Sequence, residues 1–235
     1  MLPRPTVLRR PALKTVTSVV APRKDELMMQ RRFCMAAMAT AALLLASPLL
    51  RAEALAADAF VKQVSTDVID AVKADKAIQA GDVGRIRALV DAKVMPHVNF
   101  QRMTASSVGP QWRSATPDQQ KRMLTEFQTL MVNTYSGALT QVKDQAVVVR
   151  PLRAAADQTE LVVRSEVRGK GDPIQLDYRL EKAGDGWKIY DVNVGGFWLV
   201  DAYRGQFAKD LSAGGIDALI TRLAEKNKSL AAAKN

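Results

Sequence analysis

The sequence predicts one α+β domain, with helices packed on one face of a curved antiparallel four-stranded meander sheet. Three observations carry this expectation. Apolar residues recur at helical spacing through the first half of the mature chain, the period switches to two after Lys143-Asp144, and helical spacing returns after Gly195-Gly196.

The elements follow in order. Residues 57–80 place Phe60, Val61, Val64, Val68, Ala71 and Val72 on one helical face before Gly81. A second helix from Asp82 aligns Val83, Ile86, Leu89, Val90 and Val94 and breaks at Pro96, and residues 97–112 form a mixed segment punctuated by Gly109-Pro110. Thr116-Pro117-Asp118-Gln119 carries a capping box with proline at the first helical position. The helix it opens runs to about Val142, with a stripe that includes Met123, Phe127, Leu130, Met131 and Tyr135. Ala146–Arg150, Thr159–Arg168, Pro173–Lys182 and Trp187–Val194 read as four strands. Leu161, Val163, Ser165 and Val167 alternate with charged residues, as do Ile174, Leu176, Tyr178 and Leu180, so one sheet face is apolar and the other solvated. Trp187 and Ile189 are out of phase with Val192 and Val194, which predicts a bulge near Tyr190-Asp191. A helix from Phe197 to the Gly214-Gly215 stop, a last amphipathic helix, and a frayed tail SLAAAKN complete the chain.

The chain has 235 residues and a formal net charge of +10. Nine basic and three acidic residues fall within residues 1–54, which leaves a net of only +4 on the rest. The basic excess is therefore no argument for nucleic-acid binding. It accompanies an export signal instead: the Arg31-Arg32 pair, an apolar run from Phe33 to Ala46, Ser47-Pro48, and an Ala52-Glu53-Ala54 cleavage site. That run is shorter than the ~20 residues a membrane span needs. Residues 1–54 are thus expected to be an upstream extension plus a cleaved signal peptide (about 28–54), and residues 55–235 the single mature domain, exported to the periplasm by the Sec rather than the Tat route.

The one cysteine, Cys34, lies in the leader, and the one histidine is His97. The body therefore has no disulfide, no Cys/His zinc site and no cysteine nucleophile. His97 reads as a loop residue, Asp191 as a buried strand acid with a structural hydrogen bond, and Asp201 with Arg204 as an i,i+3 ion pair. No phosphate-binding glycine motif occurs in the body. No metal or organic cofactor is expected. The apolar stripes suit either an ordinary core or a cavity lining, and their period does not choose between the two.

Eight ordered blocks add a resemblance. They are Asn99-Phe100-x-x-Met103-Thr104; Gly109-x-x-Trp112; Ala115-Thr116-Pro117-x-Gln119; Phe127-x-x-Leu130; Tyr135-x-x-Ala138-Leu139; Trp187 to Val192; Leu199-Val200-x-x-Tyr203-Arg204-x-Gln206-Phe207; and Gly215-Ile216-Asp217-x-Leu219-Ile220. In this order they resemble the MlaC family, the toluene-tolerance auxiliary proteins, over about residues 57–228. Phe197-Trp198 and Ala202 depart from the Ile-Ser and Asn of the family pattern.

The resemblance implies a periplasmic phospholipid carrier, a non-enzyme. It would be a monomer that shuttles lipid between an outer-membrane lipoprotein complex and an inner-membrane ABC transporter with an MCE-domain ring. The sheet and helices would enclose an apolar acyl-chain pocket. Burying one 16-carbon chain is worth about 12 kcal/mol at roughly 0.8 kcal/mol per methylene, so such a carrier needs a dry pocket and no covalent chemistry. The residues expected to bind lipid are Met103, Phe127, Leu130, Met131 and Tyr135 from the helices, and Leu161, Val163, Ile174, Leu176 and Tyr178 from the sheet, facing them across the cavity. Trp198, Leu199, Tyr203 and Arg204 are expected at the mouth, Arg204 either reaching a lipid phosphate or pairing with Asp201. The alternatives are a carrier of another apolar cargo, such as a hopanoid or a lipoprotein acyl chain, and an enzyme on a cone-shaped isomerase-like scaffold using Asp191 or Tyr178.

Overall fold

The first described helix, α1 (Ala57–Ala74), buries Val61, Val64 and Val72 along the expected stripe. The structure is a computed structural model that describes residues 56–233, apart from 154 and 156, so the expected leader lies outside the described residues. The single helix expected over 57–80 is interrupted at Asp75, whose carboxylate accepts hydrogen bonds from the Ala77 and Ile78 amides and so caps the short α2 (Lys76–Gln79). Arg85 pairs with the same carboxylate at 2.6 Å and holds it below its usual pKa. Asp82 caps α3 (Val83–Leu89), which widens into a π turn at Val90–Val94 and ends in a 3-10 turn at Met95–His97, around Pro96.

Sequence periodicity gave no helix over 97–112, yet Asn99 caps α4 (Phe100–Val108) by accepting from the Arg102 amide. A 3-10 turn, Gly109–Ser114, leads to α5 (Pro117–Thr140). The expected capping box is present: Thr116 Oγ1 accepts from Gln119 N, and Gln119 Oε1 accepts from Thr116 N.

Six strands form the antiparallel sheet: β1 (Ala146–Val149), β2 (Glu160–Val163), β3 (Ser165–Arg168), β4 (Ile174–Ala183), β5 (Gly186–Val194) and β6 (Phe197–Trp198). The order is β1-β3-β4-β5-β6, with β2 also paired to β4. Two details differ from the expected four strands. The second expected strand breaks at Arg164, where the Ser165 amide donates to the Asp177 carboxylate (2.9 Å) and the Arg164 carbonyl accepts from Arg150. Chain order then continues with β3, which pairs with both β1 and the start of β4. The sixth strand arises because Gly195 and Gly196, at φ +60° and +97°, close a two-residue hairpin that pairs Val194 with Phe197. Positive φ at both central residues is what a two-residue hairpin turn of type I′ demands.

The bulge falls where expected. Arg179 pairs with Asp191 and Leu180 with Ile189, which leaves Tyr190 as the extra residue and brings Ile189 and Val192 onto one face.

The chain then forms α6 (Leu199–Ala232), broken at the expected Gly214-Gly215 stop. Each glycine has its own reason. A Cβ on Gly214 would lie 2.8 Å from that of Ala218, and Gly215 sits at φ +67°, ψ −156°, a region closed to side chains. Replacing Gly215 with alanine is expected to lower stability by about 1–3 kcal/mol in urea unfolding, the cost of such backbone strain. The tail expected to fray is helical through Ala232, and Leu230 packs against the core.

Candidate functional site

Seven of the fourteen expected site residues meet in one helical layer. Phe127 of α5 is 0% exposed at its centre, with ring centroids at 4.9 Å from Tyr203, 5.3 Å from Phe207 and 5.5 Å from Phe100. Met103, Leu130, Leu199 and Tyr203 are buried around it, and Met131 and Tyr135 pack against its flank. Helical spacing explains the convergence: Phe127, Leu130, Met131 and Tyr135 lie three to four apart on one face of α5, while Leu199, Tyr203 and Phe207 do the same on α6. Burial, with the neighbouring Tyr135 hydroxyl, pushes the Tyr203 phenol far above its usual pKa, so it stays neutral.

The sheet residues were expected to face this layer, and here the structure corrects the sequence. Leu161, Val163 and Tyr178 form a separate buried cluster with Leu180 and Ile189 that packs on Ala57 and Val61 of α1, with Leu176 at its edge. The helix covering this part of the sheet is therefore α1, not α5. Val98 and Val192 touch both clusters, so the two apolar regions are contiguous. Ile174 is 54% exposed and belongs to neither: it opens β4 at the end of the sheet, past the reach of α1 and opposite only Val167. Tyr178 shares a hydrogen bond with Ser65 (3.3 Å), and burial pushes its pKa up to about 12.

The opposite sheet face is polar and partly exposed. Arg102 of α4 pairs with Glu181 and with Glu160 (2.7 Å) and lies 3.7 Å over the Tyr190 ring. Arg179 pairs with Asp191 at 2.7 Å, and its guanidinium stacks 4.0 Å from the Trp198 ring. Trp198 is therefore a partner of Arg179 on the polar face, not part of the apolar mouth expected of it; membership of β6 directs it there, beside Asn193. Asp191 is fully buried and accepts from the Val192 and Val200 amides, which caps the start of α6. Burial pushes its carboxyl pKa up, opposed by those amides and by Arg179. Local sequence carries no signal for this cap, because its partner lies nine residues away on another element.

Arg204 makes the contact of its ion-pair reading and one more. Its Nε donates to the Ser106 carbonyl (3.0 Å) and its Nη1 lies 3.6 Å from Asp201, so it ties α6 to α4. His97 sits edge-on to Phe60 at 5.6 Å, in keeping with a loop residue; burial lowers its pKa.

Where α6 folds back at its glycine break, an open cleft of about 330 Å³ lies between its two halves and α5. Leu130, Tyr135, Tyr203, Phe207 and Leu223 form its apolar lining, and Gln206, Asp210, Arg222 and Lys226 its polar lining. Sequence reasoning placed Arg222 and Lys226 on an ordinary amphipathic helix; only the fold-back gives them a cleft. Among the described residues no group of three His, Cys, Asp or Glu is arranged for a metal ion. No described helix is long and apolar enough to cross a membrane.

Comparison with known proteins adds four findings. The model of the family described as MlaC protein matches residues 62–225. The chain is 26% identical to the toluene tolerance protein ttg2D of Pseudomonas putida over 176 residues, covering 74% of this chain and 82% of that one. It is 22% identical to the intermembrane phospholipid transport system binding protein MlaC of Haemophilus influenzae, covering 69% and 78%. A solved phospholipid-binding protein from Ralstonia solanacearum, in complex with a phospholipid, superposes with a TM-score of 0.73 at 43% identity and covers 75% of this chain and 99% of its own.

Proposed function

The chain belongs to the MlaC family, and from that premise we propose that residues 55–235 form a monomeric periplasmic phospholipid carrier. It is exported through the leader at 28–54 and passes lipid between an outer-membrane lipoprotein complex and an inner-membrane MCE-domain ABC transporter. The observation that carries this reading is the contiguity of the two apolar regions at Val98 and Val192. Acyl chains lie along that seam, between Leu176, Tyr178 and Val192 on the sheet side and Phe127, Leu130, Met131, Leu199 and Tyr203 on the helical side. Phospholipid bound to the 43% identical Ralstonia solanacearum protein supports the same cargo here.

The isomerase-like alternative needs a free acid or base. Asp191 has two backbone donors and a guanidinium on its oxygens, and Tyr178, at a pKa of about 12, is a poor acid at neutral pH. Neither supports it.

The test is native mass spectrometry of the mature protein purified gently from its own periplasm, followed by lipid extraction. The expected result is one or more diacyl phospholipids per chain. Apo-protein alone would overturn the carrier reading, and a hopanoid or a lipoprotein acyl chain would replace the cargo.

A further inference from the structure

The cleft at the fold-back of α6 has the composition of an amphiphile site, and its two cations are at most loosely paired. Arg222 and Lys226 are four residues apart on the second half of α6, which puts both on one helix face at the rim. Arg222 is 63% exposed, and its ion partners are loose: Asp210 at 3.9 Å and Glu225 at 4.0 Å, both beyond hydrogen-bond distance. Lys226 makes no ion pair or hydrogen bond among the described residues. The arginines against the sheet and α4 are occupied by contrast, Arg102 by Glu160 and Glu181, Arg179 by Asp191, and Arg204 by the Ser106 carbonyl.

Beneath these cations the lining is apolar, and it is continuous with the proposed chain site. Leu130, Tyr203 and Phe207 line the cleft and also belong to the layer around Phe127. The volume, about 330 Å³, is at the lower end of the roughly 300–1,000 Å³ typical of small-molecule sites. That suits a headgroup and its first methylenes, not two whole chains. The lips are the two halves of α6 joined at Gly214-Gly215, so a few backbone angles at that break set the width of the opening.

We propose that this cleft binds the phosphate of an anionic phospholipid headgroup, through Arg222 and Lys226. The phosphate replaces Asp210 as the partner of Arg222, the guanidinium offering it a two-pronged donor set and the Lys226 ammonium a point charge. The chains run inward past Leu130 and Phe207. This rests on the carrier reading and adds to it the seat and the charge preference of the headgroup.

The test loads the mature chain from vesicles of equal parts phosphatidylglycerol and phosphatidylethanolamine, then measures bound lipid by native mass spectrometry and extraction. The double variant R222E/K226E is expected to retain about tenfold less phosphatidylglycerol than the unmodified chain, with its melting transition unchanged, since both side chains are exposed. The neutral pair R222Q/K226Q is expected to fall between them. K209E/K228E, the same charge change at exposed sites outside the cleft, is expected to load normally. Glycerol 3-phosphate added to the loaded protein is expected to leave the lipid in place. Normal loading of R222E/K226E and R222Q/K226Q, an equal loss in K209E/K228E, or displacement of the lipid by glycerol 3-phosphate would each overturn the headgroup site while the carrier reading stood. An unmodified chain that takes up no lipid would overturn the carrier reading itself.

Discussion

Replacing Phe127 with alanine is expected to lower the free energy of unfolding by about 3–5 kcal/mol, the range for removing a fully buried aromatic ring. The ring is closed off from solvent and has three aromatic neighbours within 5.5 Å of its centroid, two of them edge-on, so its loss removes transfer free energy and specific ring contacts together. Those neighbours come from α4 and from the first half of α6, so Phe127 is the point where three helices share one core. Urea unfolding of the delipidated variant measures the effect, with the slope of the transition unchanged if the native state stays compact. Adding phospholipid should restore part of the loss, because a chain in the vacated space refills it and binds only the folded state. A cost below about 1 kcal/mol would mean that the layer is loosely packed and that Phe127 does not organise it.

How far the sequence was legible depended on whether a signal was local. The start of α5 is written in four residues, Thr116 to Gln119, and the phase slip between Ile189 and Val192 marks the bulge because each lies within one strand. The kink in α6 is likewise set by two adjacent glycines. α4 escaped because its sequence is rich in Thr and Ser, which disfavour helix interiors on their own. In the fold Thr104 and Ser107 are buried and donate to the Phe100 and Met103 carbonyls, one turn back, so their polarity is absorbed by the helix itself. The site divided the same way. Stripes on α5 and α6 predicted the members of the helical layer, since each stripe is a property of one helix. Alternation in β2 and β4 gave the apolar sheet face, but alternation does not say which helix lies on it, and α1 does. Trp198 was misplaced for a related reason: a two-residue strand decides its position and is not visible from the residues around it, whereas the pairing of Arg204 with Asp201, three residues away on one helix, was legible and only its bond to the Ser106 carbonyl of α4 was not.

The other large effect is expected at Asp191. Its substitution by alanine should cost about 3–5 kcal/mol, the penalty for removing one partner of a buried ion pair and stranding the other. One carboxylate oxygen accepts from the Val192 amide (2.9 Å) and the Val200 amide (3.0 Å), and the other accepts from Arg179 at 2.7 Å. Val200 is the second residue of α6, so Asp191 supplies from β5 the cap that Trp198, at the helix boundary, has no side-chain acceptor to give. A negative charge there also opposes the positive end of the helix dipole. Alanine leaves two amides and the Arg179 guanidinium, stacked under Trp198, short of an acceptor; Asp201, at 3.7 Å, is the nearest substitute for the guanidinium alone. Asparagine should cost less than alanine. It keeps an oxygen for the Val200 amide, and because burial pushes the Asp191 pKa up, the site already favours a neutral group more than water does. Urea midpoints of the two variants measure the difference, and far-ultraviolet circular dichroism reports any loss of helix. Equal costs for asparagine and alanine would mean that the charge on Arg179, not the cap on α6, is what Asp191 is there to meet.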